Sequence, residues 1–387
     1  MRTLLCVTAA SVVIGPAYSA AAPANDDAHR GPAVSLSLGS VYDTNRLRLQ
    51  DGVAPPPGGS EDDLITDLTA TLNLSYKTGL QRFFVEGTAG YVWHRDNTFL
   101  DNERVDLTGG VAWGLTPRCN GVLSAQVVRR QTDLADLEAV IDNTRETETY
   151  LGTAGCRIGT GWRAELEAKR TESDNSTAAR RFADLEATTF GSSLRYRPNE
   201  NQSFGVRLSR TELDYPNIIS ITAGPAPGPD ARVDITVFEA LASRRFGNAL
   251  KVDAALGHSE AETDGGPGGF DGTTGHLEAE LLPSSRLSVF SRVDRGLAYS
   301  SDVSADYFVR DRTQISLKAR ISELVDAEIG ARRVERDFRA NENLRPLVRT
   351  VDEADILRAA VHYQARKRIR VSAGIEHRDM QTDGPRG

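Results

Sequence analysis

Short and long connections alternate along this chain, and that alternation limits its fold more than any other feature. Tight turns centre near Thr78-Gly79-Leu80, Pro117, Thr160, Asn199, Gly247, Ser284, Glu323 and Arg366, recurring about every 40 residues. Between them lie long polar segments: Thr44 to Asp63, Arg95 to Asn102, Asp133 to Asn143, Glu172 to Arg181, Asp214 to Ala231, Glu260 to Thr273, Ala298 to Ala305 and Phe338 to Val348. Each interval has room for two strands of about a dozen residues and one long loop. Outer-membrane barrels have short periplasmic turns and long extracellular loops. A soluble propeller also repeats at roughly 40–45 residues, but it needs four short strands per repeat and a sequence signature that is absent here.

The stretches between the connections alternate in the way a barrel wall requires. In Arg82 to His94, every second residue gives Phe83, Val85, Gly87, Ala89, Tyr91 and Trp93, an apolar or small set. The other set holds Arg82, Glu86, Thr88 and His94. Successive strand side chains point to opposite faces, so one face suits hydrocarbon and the other suits water. Roughly 13 residues at about 3.3 Å each span about 40 Å, or about 30 Å along the membrane normal at a 40° tilt. Tyr91 and Trp93 then stand at an interfacial girdle. Leu250-Val252-Ala254-Leu256 and Ile369-Val371-Ala373-Ile375 repeat the pattern late in the chain. An Arg or Lys facing lipid at the midplane costs about 2–4 kcal/mol, so the charged alternate face must be wet. Backbone groups in lipid need internal partners, which forces closure. The fold class expected is therefore all-β, a transmembrane antiparallel up-and-down β-barrel of about 16–18 strands over residues 33–378.

The flanks read differently. Arg2, the apolar run Leu4 to Ile14 and small residues near Ala17 to Ala22 make residues 1–22 a secretory signal peptide, removed from the mature protein. Residues 23–32 form a periplasmic lead-in. The count gives about 17 strands, and single-chain bacterial barrels carry even numbers. Residues 379–387 read as a loop-like tail, so the expectation is a missing final strand of an 18-strand parent.

Two cysteines remain in the mature chain, in an oxidising compartment. If Ala125 pairs with Tyr150 across its hairpin, Cys119 falls opposite Cys156 on the apolar face. Directly opposed residues lie close enough for a bridge. A disulfide at the periplasmic end is the expectation; the alternative is two free thiols facing lipid.

No motif locates an enzyme, and no catalytic residues are assigned. His258 and His276 flank one loop but fall on opposite faces by alternation, so no metal site is expected, and no cofactor. Nucleic acid is excluded as a partner by a net charge of −8 without a basic–aromatic patch. The acidic run Glu61 to Asp63 lacks calcium-loop spacing and reads as a solvated loop. The lumen-facing candidates are Glu86, Arg163, Glu165, Glu167 and Lys169, then Arg292, Lys318, Arg358, Arg370 and Arg378. The later ones are basic, and rings of Arg or Lys favour anions in pores. The plainer alternative is a mixed-charge lumen whose ions pair across strands.

The first strand runs into its loop as Val41-Tyr42-Asp43-Thr44-Asn45-Arg46-Leu47. This stretch resembles the start of the barrel in the β-barrel porin type 2 family, whose EpsL-like outer-membrane proteins are encoded with exopolysaccharide biosynthesis genes. Family members end with a further strand and a terminal aromatic, and this chain departs from them there. The resemblance implies an outer-membrane barrel linked to polysaccharide export, with outer-membrane lipid, saccharide or exopolysaccharide, and periplasmic export proteins as partners. The leading expectation is a porin-like conduit, since barrels of 16–18 strands leave an aqueous channel unless loops plug it. A non-conducting structural partner of an export assembly and an outer-membrane hydrolase are the alternatives.

Overall fold

A computed structural model of the chain describes residues 4–14, 33–49, 53–134, 140–217, 231–263, 269–299, 305–339 and 350–383. The barrel wall begins with β2 (Ala33–Asp43), β3 (Asp63–Thr78), β4 (Gln81–His94), β5 (Asn102–Thr116), β6 (Cys119–Gln131) and β7 (Thr144–Arg157). It continues through β8 (Trp162–Asn175), β9 (Leu185–Asn199), β10 (Gln202–Tyr215), β11 (Ala231–Phe246), β12 (Leu250–Thr263) and β13 (Phe270–Ser284). The last strands are β14 (Leu287–Ala298), β15 (Tyr307–Arg320), β16 (Val325–Arg339), β17 (Val351–Arg366) and β18 (Ile369–Asp383). Each pairs antiparallel with the next, from β2–β3 to β17–β18. Among the described residues helix is limited to two 3-10 turns, Thr98–Leu100 and Ala178–Ala183, and a helical position at Leu134.

These seventeen strands do not close on themselves. Because their number is odd, the two edges β2 and β18 run in the same direction. Leu4–Ile14, the apolar run of the expected signal peptide, forms a strand β1 between them, antiparallel to both. The lead-in at 23–32 lies outside the described residues. At the other end the boundary moves: β18 runs on to Asp383, five residues past the expected end of the barrel at Arg378, because Val351 to Asp355 pair with Asp379 to Asp383. The rest of the expected tail, 384–387, lies outside the described residues.

The wall has an apolar outside. Leu123, Leu166, Phe190, Leu256, Leu277 and Ile329 are all more than half exposed. Their sequence neighbours turn inward, and strand alternation needs nothing further to make the two faces differ. Strands of 11 to 16 residues reach roughly 29–42 Å at a 40° tilt, more than the about 25 Å of an apolar band. The surplus lies at the loop end, where outward positions become charged: Arg129 faces Glu103 and Glu146, Arg170 meets Glu172 at 2.6 Å and Glu186 at 3.0 Å, and Arg210 meets Asp234 at 3.1 Å. Such exposed pairs are worth about 0–1 kcal/mol each, so they mark a wetted collar rather than hold it. Several stretches that read as loops are strand for this reason. β8 extends to Asn175 and β12 to Thr263, since the ladder outlasts the apolar alternation.

Cys119 and Cys156 are partners in the β6–β7 register and are joined by a disulfide, with Cα atoms 4.2 Å apart. It ties the turn end of the wall. At the opposite end, Leu185, Leu213, Tyr215, Val233, Ile235 and Tyr307 pack into a buried inward cluster. Tyr215 donates its hydroxyl proton to the Asp306 carbonyl.

Leu166→Arg should lower the urea stability of the barrel in lipid vesicles by about 2–4 kcal/mol. Glu167→Arg, one residue on and turned inward, should leave it within about 0.5 kcal/mol. Equal losses would contradict the assignment of faces.

Candidate functional site: a basic lumen crossed by a loop

The first loop folds through the residues that carry the family resemblance. Asp43 is buried and accepts from the Asn45 amide at 3.0 Å and from Arg48 Nη1 at 3.0 Å and Nη2 at 2.9 Å. Asn45 exchanges two 3.0 Å bonds with the Leu49 backbone. Arg46 donates from Nε to His94 Nε2 at 3.0 Å and from Nη2 to Gln131 Oε1 at 2.9 Å. Burial, and then the neighbouring Arg48 charge, push the Arg46 pKa below its usual value. The motif is thus a device for turning a loop inward and pinning it to β4 and β6.

The acidic run after that loop is only partly solvated. Asp63 is 1 % exposed. Its carboxylate accepts from the backbone amides of Arg95, Asp96 and Asn97 at 2.9, 3.0 and 3.1 Å, and from Asn97 Nδ2 at 2.9 Å. Asp63 therefore corrects the reading of 61–63 as a solvated loop, because four donors replace its water. Leu47, Leu100 and Leu134 pack together above it. The loop after β6 then crosses the lumen: Asp133 pairs with Arg378 Nη1 of β18 at 3.1 Å, across 245 positions of sequence.

Arg378 belongs to a basic sector. Inward positions in register run Arg292, Gln314, Arg332, Ile356 and Arg378 across β14 to β18. The row next to it holds Asp294 and Arg312, and the row on its other side Arg358 and Glu376. Asp294, 6 % exposed, is shared by three guanidiniums: Arg292 at 2.8 Å, Arg312 at 2.6 Å and Arg310 at 3.4 Å. Arg292 also reaches Glu278 at 3.3 Å. Arg336 forks onto buried Asp352 at 2.8 and 2.6 Å and lies over the Phe308 and Phe338 rings. Among the described residues Arg332 and Arg358 have no ion pair. With Asp294 shared by three arginines and those two unpaired, this wall stays positive.

A second group lies toward the turns. Glu86, Arg163, Glu165 and Glu167 line a cavity of about 1230 Å³ inside β3 to β10. Lys169 follows them on the inward alternate of β8. Lys318 meets Glu328 at 3.6 Å, and Arg370 stands opposite Gln364 near the last turn. The sequence reading missed Arg157, Arg195 and Arg207 of the cavity and Arg310, Arg312, Arg332 and Arg336 of the basic sector, although it puts Arg82 on the wet face. Strand alternation was the signal that could have found them. His258 and His276 lie on opposite faces, with His258 3.2 Å from Asp271.

No family model matches the chain, and no curated protein matches it. Solved structures similar to it include the Pseudomonas aeruginosa protein OpdL, at TM-score 0.41 and 10% identity over 98% of each chain. A bacterial polysaccharide outer membrane secretin aligns at TM-score 0.38 and 11% identity over 98% of each chain. The FrpB iron transporter of Neisseria meningitidis aligns at TM-score 0.47 and 8% identity, over 99% of this chain and 62% of its own.

Asp294→Ala strips three guanidiniums of a shared acceptor. It should lower stability by about 1–3 kcal/mol in urea titrations, the cost of half-buried charged donors left without their shared acceptor. A variant as stable as the parent would show that lumen water replaces the carboxylate.

Proposed function

We propose that this chain is a porin-like conduit of the bacterial outer membrane and that it passes saccharide as part of exopolysaccharide export. The carrying observation is the basic sector of β14 to β18, bridged by a loop through Asp133 and Arg378. An apolar outside and a charged inside support insertion in an outer membrane. Inward arginines sharing too few carboxylates support passage of anions, because fixed cations in a pore favour them. The export link rests on the family resemblance at Tyr42 to Leu47. The reading is of a conduit rather than an enzyme.

A second reading has its own observation. The inward cluster around Leu213, Tyr215, Val233 and Tyr307, and the loop residues Leu47, Leu100 and Leu134, pack apolar side chains at the loop end of the wall. A barrel closed at that end would serve as a non-conducting outer-membrane partner of periplasmic export proteins.

Planar bilayers separate the two. A conduit gives stable conductance with a reversal potential on the anion side, and Asp133→Ala raises its conductance by freeing the crossing loop. A silent bilayer containing folded protein, for parent and variant alike, would contradict the conduit and support the partner.

A further inference from the structure

The cavity near the turns carries a row of like charges that the fold neutralises only in part. Arg157 of β7 stands opposite Arg163 of β8, and Arg163 stands opposite Arg195 of β9. Directly opposed residues on one face of a sheet have Cβ atoms about 4.5–5.5 Å apart, and like charges there are destabilising. All three line the cavity. Arg163 alone is compensated, by Glu165 at 2.7 Å and Asn120 Oδ1 at 2.9 Å. Among the described residues Arg157 and Arg195 have no ion pair, and the buried Arg195 Nε has no hydrogen-bond partner.

The surroundings make room for this row. A Cβ on Gly155 would lie 2.5 Å from Arg163 Nη2, so the guanidinium occupies space that a larger residue would take. Glu86, Glu165 and Glu167 also line the cavity, against six cations (Lys77, Arg82, Arg157, Arg163, Arg195 and Arg207), so it stays positive. Ser75, Asn120, Thr153 and Ser193 add hydroxyls and amides, and Phe84 an apolar ring. Polar groups around an aromatic face suit a sugar, and guanidinium forks match the paired oxygens of a carboxylate or phosphate. At about 1230 Å³ the cavity exceeds the roughly 300–1,000 Å³ of ordinary small-molecule sites, so it can admit an oligomer.

We propose that Arg157, Arg163 and Arg195 form a docking site for the acidic groups of an anionic saccharide arriving from the turn end of the barrel. The proposal rests on the conduit reading for its direction, but the binding itself does not require conduction. An incoming anion supplies the missing counter-charge. The site is distinct in place from the Arg292–Arg378 sector, which lies on β14 to β18, whereas Arg157, Arg163 and Arg195 sit on β7 to β9.

Isothermal titration calorimetry of the folded barrel in detergent tests it, with hexagalacturonate as the anionic probe, maltohexaose as the neutral one and inorganic phosphate as the bare anion. Hexagalacturonate should bind and maltohexaose should not. The double variant Arg157→Gln/Arg195→Gln should weaken binding about tenfold or more, since each charge-assisted contact is worth at least that factor. Arg157→Lys/Arg195→Lys should recover part of it, and the outward Arg170→Gln should change nothing. Unchanged affinity in the double glutamine variant would overturn the site, as would equal binding of maltohexaose. Phosphate binding as tightly as hexagalacturonate would overturn the saccharide. Binding without bilayer conductance would keep the site and remove the conduit.

Discussion

A backbone amide or carbonyl left bare in hydrocarbon costs several kcal/mol, and a sheet that spans a membrane must pair every one of them. Most of the architecture follows from that demand. Antiparallel neighbours joined by short turns satisfy it strand by strand, from β2–β3 round to β17–β18. The two edges of an open sheet are where the demand is hardest to meet. Here they run in the same direction, and β1 lies antiparallel between them. The same constraint explains why Leu123 and Leu166 can stay exposed without harm, since their solvent is lipid.

Once the wall is fixed, its inner face is free to carry charge, and this chain uses that freedom unevenly. The β14–β18 side holds Arg292, Arg310 and Arg312 on one carboxylate, Asp294. The turn-end cavity holds Arg157, Arg163 and Arg195 in one register row. Both arrangements forgo pairing that a structural lumen could easily have supplied. Loops narrow what remains: Asp133 reaches Arg378, and Arg46 fastens the first loop to His94 and Gln131. Positive walls with a loop across them are the features on which the proposed anion passage rests.

Much of the fold was legible because its rules are local. Alternation at Phe83 to Trp93 and tight turns such as Thr78-Gly79-Leu80 need only neighbouring residues to be read. Hairpin symmetry, which sets Cys119 against Cys156, also sets Arg157 against Arg163, and the row could have been found that way. Strand ends were harder. β8 continues through Glu172 to Asn175 with charges on both faces, so hydropathy stops while the hydrogen-bond ladder does not. Least legible were contacts made by loops. Nothing near Asp63 announces four donors from the next loop but one, and nothing near Asp133 announces Arg378.

The claim beneath all of this is that one wall divides lipid from a water-filled, charged interior at single-residue resolution. Nitroxide labels placed one at a time at positions 164 to 169 of β8, in the barrel reconstituted in lipid, test it directly. The account predicts a two-residue period, with 164, 166 and 168 most accessible to oxygen and 165, 167 and 169 to a water-soluble nickel complex. Six positions with equal access to the nickel complex would contradict it.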